Sequence, residues 1–292
     1  MMVRKPDVAV LGLGAMGHAF ASNLLKKEFV VTAWNRTKAR GEDLVANGLK
    51  LSDSPVEAVK NADVVIVMLT DAETTEAIVA QIREHLKSGA ILCQMGTIGV
   101  ESTDKLAQAL GDYRQDITFI DAPVSGTKAP AENAQILILA SGDRERAANA
   151  EPVFAAIGKG TLWLGEAGRG SRMKLVVNTW LILLMQGLSE SLLLADQFGF
   201  SEDDLWAVLD GGPLAVPYAK AKMEMIKSGS YAPQMQLNWA LKDARLALSS
   251  VSAGQTLPCL RETASLWRQA VDAGYGADDL SVVYHFQHQQ KQ

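Results

Sequence analysis

Short runs of Val, Ile and Leu alternate with amphipathic stretches through the first half of the chain. The runs are "DVAVLGLG" (7–14), "FVVTAWN" (29–35), "DVVIVMLT" (63–70), "AILCQMGT" (90–97), "ITFIDAPVSG" (117–126), "QILILASG" (135–142) and "TLWLG" (161–165). Most end in Gly, Asn, Asp, Ser or Thr, and they predict buried β-strands. Between them "HAFASNLLKKE", "TTEAIVAQIREHLKSG" and "ESTDKLAQALGD" repeat apolar residues at helical spacing, so the order is βαβ and the sheet is expected to be largely parallel. "DAPVSGTKAPAENAQ" breaks the rhythm and reads as a long loop between two strands, of a length that often carries function.

After Gly165 the strand pattern stops. "GRGSRMKLVVNTWLILLMQGLSESLLLA" predicts a long apolar helix, and "SEDDLWAVLDGG", "PLAVPYAKAKMEMIKSG", "MQLNWALKDARLALSSVSAG", "LPCLRETASLWRQAVDAG" and "ADDLSVVYHFQHQQ" follow as helices ended by glycine or proline. The expected class is α/β: an N-terminal Rossmann-type doubly wound sheet (1–166) and a C-terminal all-helical domain (167–292) that opens with the long helix. The run from Leu175 to Met185 is about half the ~20 apolar residues needed to span a bilayer, and Asn178 interrupts it. A helix buried between domains or subunits is expected instead, with no membrane partner. "LVVNTWLILLMQGL" is apolar around more of its circumference than one packed face requires, which predicts a homodimer or higher homo-oligomer.

Composition narrows the partners. The 292 residues are 48% hydrophobic and carry a net charge of −5, which leaves no basic field for nucleic acid. Two isolated cysteines and no His/Cys cluster fit a reducing compartment without zinc. The apolar run near the N-terminus is short and contains turn glycines, unlike a signal peptide. These features predict a cytoplasmic protein.

Gly12, Gly14 and Gly17 form GxGxxG after the first strand and at the start of a helix. That context fits a dinucleotide: one glycine permits the tight turn, the next lets pyrophosphate approach the backbone, and the third lets helix and strand pack closely. Leu13, Ala15 and Met16 complete the loop, and Leu69 and Thr70, ending a later strand, are further candidate cofactor contacts. An acidic residue after the second strand would bind a ribose hydroxyl and repel a 2′-phosphate. This chain has Asn35, Arg36 and Thr37 there. A guanidinium and a hydroxyl suit a phosphate, which favours NADPH, although the same three residues could form an ordinary exposed turn.

Reducing a carbonyl by hydride transfer leaves charge on oxygen and requires a proton donor. None of the four histidines, His18, His85, His285 and His288, falls in a stretch that reads as a site: two are expected on surface helices and two in the tail. Lys174 opens the long helix and Asn178 lies one turn on, so both point into one space. Spacing alone fits a proton donor and a lysine snorkelling from a buried helix equally well.

"GLGAMGHAFASNL", "DAPVSGTKAPAENAQILILASGD", "GRGSRMKLVVN" and "LKDARLAL" together resemble the blocks of the β-hydroxyacid dehydrogenases, in that family's order. "WNRT", "PVSGTKAPAE" and "GADDLSVV" are similar to its glyoxylate/succinic semialdehyde reductase branch. The resemblance implies that Lys174 is the general acid with Asn178 beside it. Ser125, Gly126 and Thr127 would bind the substrate carboxylate, and Thr97 would lie at the nicotinamide. Lys242 would close over the cofactor from the other domain, and Asp243 would hold that arrangement. The implied activity is NADPH-dependent reduction of small carboxylate-bearing aldehydes. The alternatives are a 3-hydroxyisobutyrate- or tartronate-semialdehyde-type dehydrogenase, an imine reductase-like enzyme, which usually has aspartate or tyrosine at the Lys174 position, and a non-catalytic NADP-binding module. The chain departs from the family at Gln94-Met95-Gly96, and from the reductase branch at Met235, usually phenylalanine, and Asn238, usually lysine.

Overall fold

Val8 and Val10 pack into one apolar core and Ala9 and Leu11 into another. The same alternation recurs at Val64/Ile66 against Val65/Val67, so the strands are buried on both faces. Continuous apolar runs are what a parallel sheet covered by helices requires. The computed structural model describes residues 4–290, so the end of the polar tail lies outside the described residues.

The first compact unit is Met1–Lys174. Its strands are β1 (Val8–Leu11), β2 (Val31–Trp34), β3 (Lys50–Leu51), β4 (Val64–Val67), β5 (Ile91–Gln94), β6 (Thr118–Asp121), β7 (Val124–Ser125), β8 (Ile136–Gly142) and β9 (Gly158–Trp163). Its helices are α1 (Ala15–Lys26), α2 (Glu42–Val45), α3 (Pro55–Val59), α4 (Ala72–Ile82), α5 (Val100–Tyr113), α6 (Lys128–Glu132) and α7 (Glu151–Ile157). The sheet order is β3-β2-β1-β4-β5-β6-β8-β7, with β9 also paired to β8. Strands β1 to β6 run parallel, and β8 is antiparallel to β6 and β7.

The structure corrects three expectations here. "ITFIDAPVSG" is not one strand, because Pro123 has no N–H to continue the ladder and the run divides into β6 and β7. The expected long loop contains β7 and the short helix α6. His85 lies in the turn after α4 rather than on a helix.

Helix α8 (Arg169–Gln197) begins in the first unit and continues into the second, Leu175–Gln292. The second unit adds α9 (Glu202–Leu209), α10 (Pro217–Ser228), α11 (Leu237–Ser249), α12 (Pro258–Asp272) and α13 (Val282–Gln289). His285 and His288 lie on α13, within the segment expected to be helical. By length and composition alone α8 would be long and apolar enough to cross a bilayer, a property that core helices of soluble proteins share. Its buried polar groups are met by neighbouring helices: Trp267 Nε1 donates to Gln186 Oε1 (2.8 Å), and Ser189 Oγ donates to Gln287 Oε1 (2.7 Å).

The glycines of the β1–α1 turn have different duties. Gly12 has φ +100°, and a Cβ on Gly17 would lie 1.9 Å from the Gly12 carbonyl oxygen. Around a Cβ on Gly14 there is nothing within 4 Å. Alanine at Gly17 gains about 1 kcal/mol of helix propensity but forces apart two backbone segments, a cost of about 1–3 kcal/mol or more. Gly17→Ala is therefore expected to lower stability by about 2 kcal/mol, whereas Gly14→Ala costs less than about 1 kcal/mol as a changed N-cap. Urea denaturation of the two variants measures the difference, and equal losses would contradict this division of roles.

Candidate functional site

Strand order reverses direction between β1 and β4, so the loops leaving their C-terminal ends diverge and open a crevice at the switch point. Most of the expected cofactor residues lie on loops at that edge. Gly12 to Gly17 follow β1, Asn35 to Thr37 follow β2, Leu69 and Thr70 follow β4, and Thr97 follows β5. Close backbone approach joins them: a Cβ on Gly12 would meet Met68 O at 2.3 Å and Leu69 Cδ2 at 3.0 Å, and one on Gly96 would meet Leu69 O at 2.5 Å.

The loop fits a phosphate group. Gly14 is the N-cap of α1, and no side chain caps that helix, so its first N–H groups point out without a side-chain acceptor. The space that a Cβ would fill above Gly14 is open. Asn35 braces the loop from the turn after β2. Its Oδ1 accepts the Leu13 N–H (2.9 Å) and its Nδ2 donates to the Thr37 carbonyl (2.8 Å), so the amide ties the glycine loop to the turn after β2. Arg36 and Thr37 are exposed on that turn, and Arg36 forms no hydrogen bond or ion pair among the described residues. Its guanidinium is available to an anion.

The departure at Gln94-Met95-Gly96 has a local explanation. Gln94 is fully buried, donating from Nε2 to Gly96 O (2.6 Å) and accepting the Gly96 N–H at Oε1 (2.9 Å). One neutral amide closes the turn that carries Thr97. Ser125 ends β7 and is half-buried, Gly126 adopts φ +137°, and Thr127 stands at the N-cap position of the short α6 without a side-chain capping bond. A Cβ on Gly126 would lie 2.9 Å from Ile136 Cγ2, so only glycine makes this turn without displacing β8.

The sequence reading missed Asp121. It ends β6, is completely buried, and receives the first turn of α8: its Oδ2 accepts the Ser171 N–H (2.7 Å) and its Oδ1 accepts Ser171 Oγ (2.7 Å). Ser141 Oγ donates to Oδ2 (3.1 Å) and accepts the Gly170 N–H (2.9 Å). A Cβ on Gly170 would lie 2.2 Å from Leu139 O, which explains the glycine in "GRGS": the helix start is pressed against β8. Burial pushes the Asp121 carboxyl above its ordinary range, and the hydrogen bonds from Ser171 and Ser141 oppose that. Carboxylates favour helix N-termini, where N–H groups carry partial positive charge. Lys174, half-buried, stands three residues beyond Ser171, so the network fixes the turn that bears it. The half-exposed Arg172–Asp104 pair (2.8 Å) also joins α8 to α5, but exposed pairs contribute only ~0–1 kcal/mol. Asp121 is the stronger hold.

In the helical unit three of the expected residues meet. Asn178 is buried and donates from Nδ2 to Asp243 Oδ2 (2.6 Å), while Lys242 Nζ lies 3.1 Å from Asp243 Oδ1. Asp243 thereby orients the Asn178 amide, one turn beyond Lys174 on the same continuous helix. Among the described residues no group of three or more His, Cys, Asp or Glu could hold a metal ion.

Comparison with known proteins follows this division. Residues 7–165 match the family model of the NAD-binding domain of 6-phosphogluconate dehydrogenase, and residues 168–286 match that described as NAD-binding of NADP-dependent 3-hydroxyisobutyrate dehydrogenase. Glyoxylate/succinic semialdehyde reductase 1 of Arabidopsis thaliana is 36% identical over 281 residues, 95% of this chain and 96% of that protein. Mycobacterium tuberculosis 3-hydroxyisobutyrate dehydrogenase, solved with L-serine, superposes with a TM-score of 0.87 at 25% identity, covering 97% of this chain and 99% of that one. A reductive aminase from Aspergillus terreus, solved with NADPH and ethyl levulinate, gives a TM-score of 0.64 at 25% identity over the same shares.

Removing the Asp121 carboxylate strands the Ser171 N–H and frees both serine hydroxyls. Each buried unsatisfied group costs about 1–3 kcal/mol, so Asp121→Ala is expected to destabilise by about 3 kcal/mol, and Asp121→Asn, which keeps one acceptor, by clearly less. Denaturant midpoints for the two variants check this; a wild-type midpoint in Asp121→Ala would contradict the assignment.

Proposed function

Because the chain belongs to the β-hydroxyacid dehydrogenase family of NAD(P)-dependent oxidoreductases, we propose that it reduces small carboxylate-bearing aldehydes, glyoxylate and succinic semialdehyde, to hydroxy acids with NADPH. The observation that carries this reading is the start of α8, where a buried carboxylate fixes the turn bearing Lys174, with an oriented Asn178 one turn beyond. The similarity to the Arabidopsis reductase supports the substrate class.

The glycine loop would hold the cofactor's phosphates on the N–H groups of α1, and Arg36 with Thr37 its 2′-phosphate. NADPH supplies the hydride when bound. The protein supplies the rest. Ser125 Oγ and the N–H groups of Gly126 and Thr127 take the substrate carboxylate, which orients the carbonyl and removes a rotational freedom that would otherwise oppose reaction. Lys174 gives its proton to the carbonyl oxygen as the C–H bond forms, and regains one from solvent. Asn178, its rotation fixed by Asp243, donates to the same oxygen.

A second reading, oxidation of a 3-hydroxyisobutyrate-type acid by the same residues in reverse, is favoured by the match of residues 168–286. We further infer a homo-oligomer, most simply a dimer, because Val176 and Trp180 on α8 are 64% and 65% exposed, a cost that a partner surface would relieve. Buried Cys93 and exposed Cys259 are both free thiols, which supports a cytoplasmic setting.

Lys174→Ala tests the reading directly. General acid catalysis contributes about 10²–10⁴-fold, so kcat should fall by at least that range while the Kd for NADPH, followed by nicotinamide fluorescence, changes little. Retention of a third of wild-type kcat would exclude the role. For the cofactor, Arg36→Ala removes a charge-assisted hydrogen bond of about 1.5–3 kcal/mol. It should lower kcat/KM about tenfold or more with NADPH and far less with NADH; equal losses would remove Arg36 from the phosphate site.

A further inference from the structure

Asn23 is buried on α1, on the face that also buries Ala19, Phe20 and Leu24. Neither the glycine loop nor the proposed chemistry uses it. Its Nδ2 donates to the Ala131 carbonyl (2.8 Å), 108 positions away. Ala131 is completely buried in α6, and its own N–H donates to Thr127 O (3.1 Å). Two hydrogen bonds thus lead from the helix that follows the glycine loop to the turn of Ser125, Gly126 and Thr127. All of these residues belong to the first compact unit.

That turn has little of its own to hold it. α6 has five residues and no side-chain bond at its N-cap, and so short a helix is unstable alone. At its far end Ala134 adopts φ +52°, in the left-handed region that alanine disfavours. Such strain persists only where the surroundings impose it. The Ala134 N–H donates to the Ala131 carbonyl (3.2 Å), the same acceptor that Asn23 reaches. At the near end a Cβ on Gly126 would lie 3.4 Å from Pro130 Cβ as well as 2.9 Å from Ile136 Cγ2, so α6 packs directly against the turn. A leucine at 23 would favour the helix more and fill a similar volume without a buried amide. Neither helix formation nor core packing therefore accounts for asparagine there. What it adds is a donor to α6.

We propose that Asn23 is a positioning residue: it ties α6 to the cofactor helix and so keeps the hydroxyl and N–H groups of residues 125–127 where they can hold a substrate carboxylate. The assignment rests on the functional reading above, in which that turn takes the carboxylate. Asn23 acts through Ala131 and Thr127, not on a reacting group.

The test is Asn23→Leu in the full-length enzyme. The preference for succinic semialdehyde over butyraldehyde, taken as the ratio of kcat/KM with NADPH, should fall about tenfold, as a displaced anchor would cause. The loss should lie in KM for the acid, whereas kcat/KM for butyraldehyde and the Kd for NADPH should change by less than about twofold. Hydrogen exchange at the Ala131 amide should accelerate about tenfold or more, with or without substrate, while the amides of β4 change by less than about threefold. If that variant does not fold, Asn23→Ala carries the same comparisons. An unchanged ratio, or exchange that accelerates equally at Ala131 and in β4, overturns the proposal. A wild-type enzyme that reduces the two aldehydes equally overturns the functional reading, and the exchange rates then still decide whether Asn23 holds α6.

Discussion

A carboxylate with no access to water must be surrounded by donors, and Asp121 obtains them from the first turn of α8. Two bonds of 2.7 Å to Ser171 and one of 3.1 Å from Ser141 leave the helix little freedom to slide or rotate on the sheet. The glycine at 170 lets that turn approach β8 closely enough for the bonds to form. Rotation of the helix start by one residue would turn Lys174 through about 100° and break both Ser171 bonds. The placement of the proposed proton donor therefore follows from a constraint three residues away, in which no reacting group takes part.

The same economy recurs elsewhere. Gln94 closes the turn before Thr97 with one amide, Asn35 joins the glycine loop to the Arg36 turn, and Asp243 orients Asn178. In each case one buried or half-buried polar side chain makes a hydrogen bond to the backbone or side chain next to a candidate reacting group. Such groups stay put because misalignment leaves a desolvated donor or acceptor unpaired. The sheet edge contributes differently, through absent side chains: at Gly12, Gly17 and Gly96 a methyl group would collide with backbone oxygen, while at Gly14 it would occupy open space.

The α/β class, the parallel order of the early strands and the all-helical second half could be read from periodicity, because burial on both faces writes itself as continuous apolar runs. The glycine loop was legible for the same local reason. What the sequence concealed are pairings between distant residues. Asp121 and Ser171 are 50 positions apart, Asn178 and Asp243 65, and Lys222 and Asp279 57, and no periodicity links such partners. Asp121 lay inside a recognised block, yet a charged residue at a strand end reads equally as an exposed terminus until its burial is known. The β6–β7 break was marked by Pro123 but was hidden by the apolar residues on either side of it.

The proposed reaction requires a substrate held by its carboxylate while the carbonyl receives hydride and proton. The most direct measurement compares kcat/KM for succinic semialdehyde and for butyraldehyde, the same chain without the charge, with NADPH. The unpaired donors at Ser125, Gly126 and Thr127 should cost the uncharged aldehyde about 1–3 kcal/mol, a preference of roughly ten- to a hundredfold for the acid. Ser125→Ala should narrow that gap. Equal rates for the two aldehydes, or a gap untouched by the serine substitution, would contradict it.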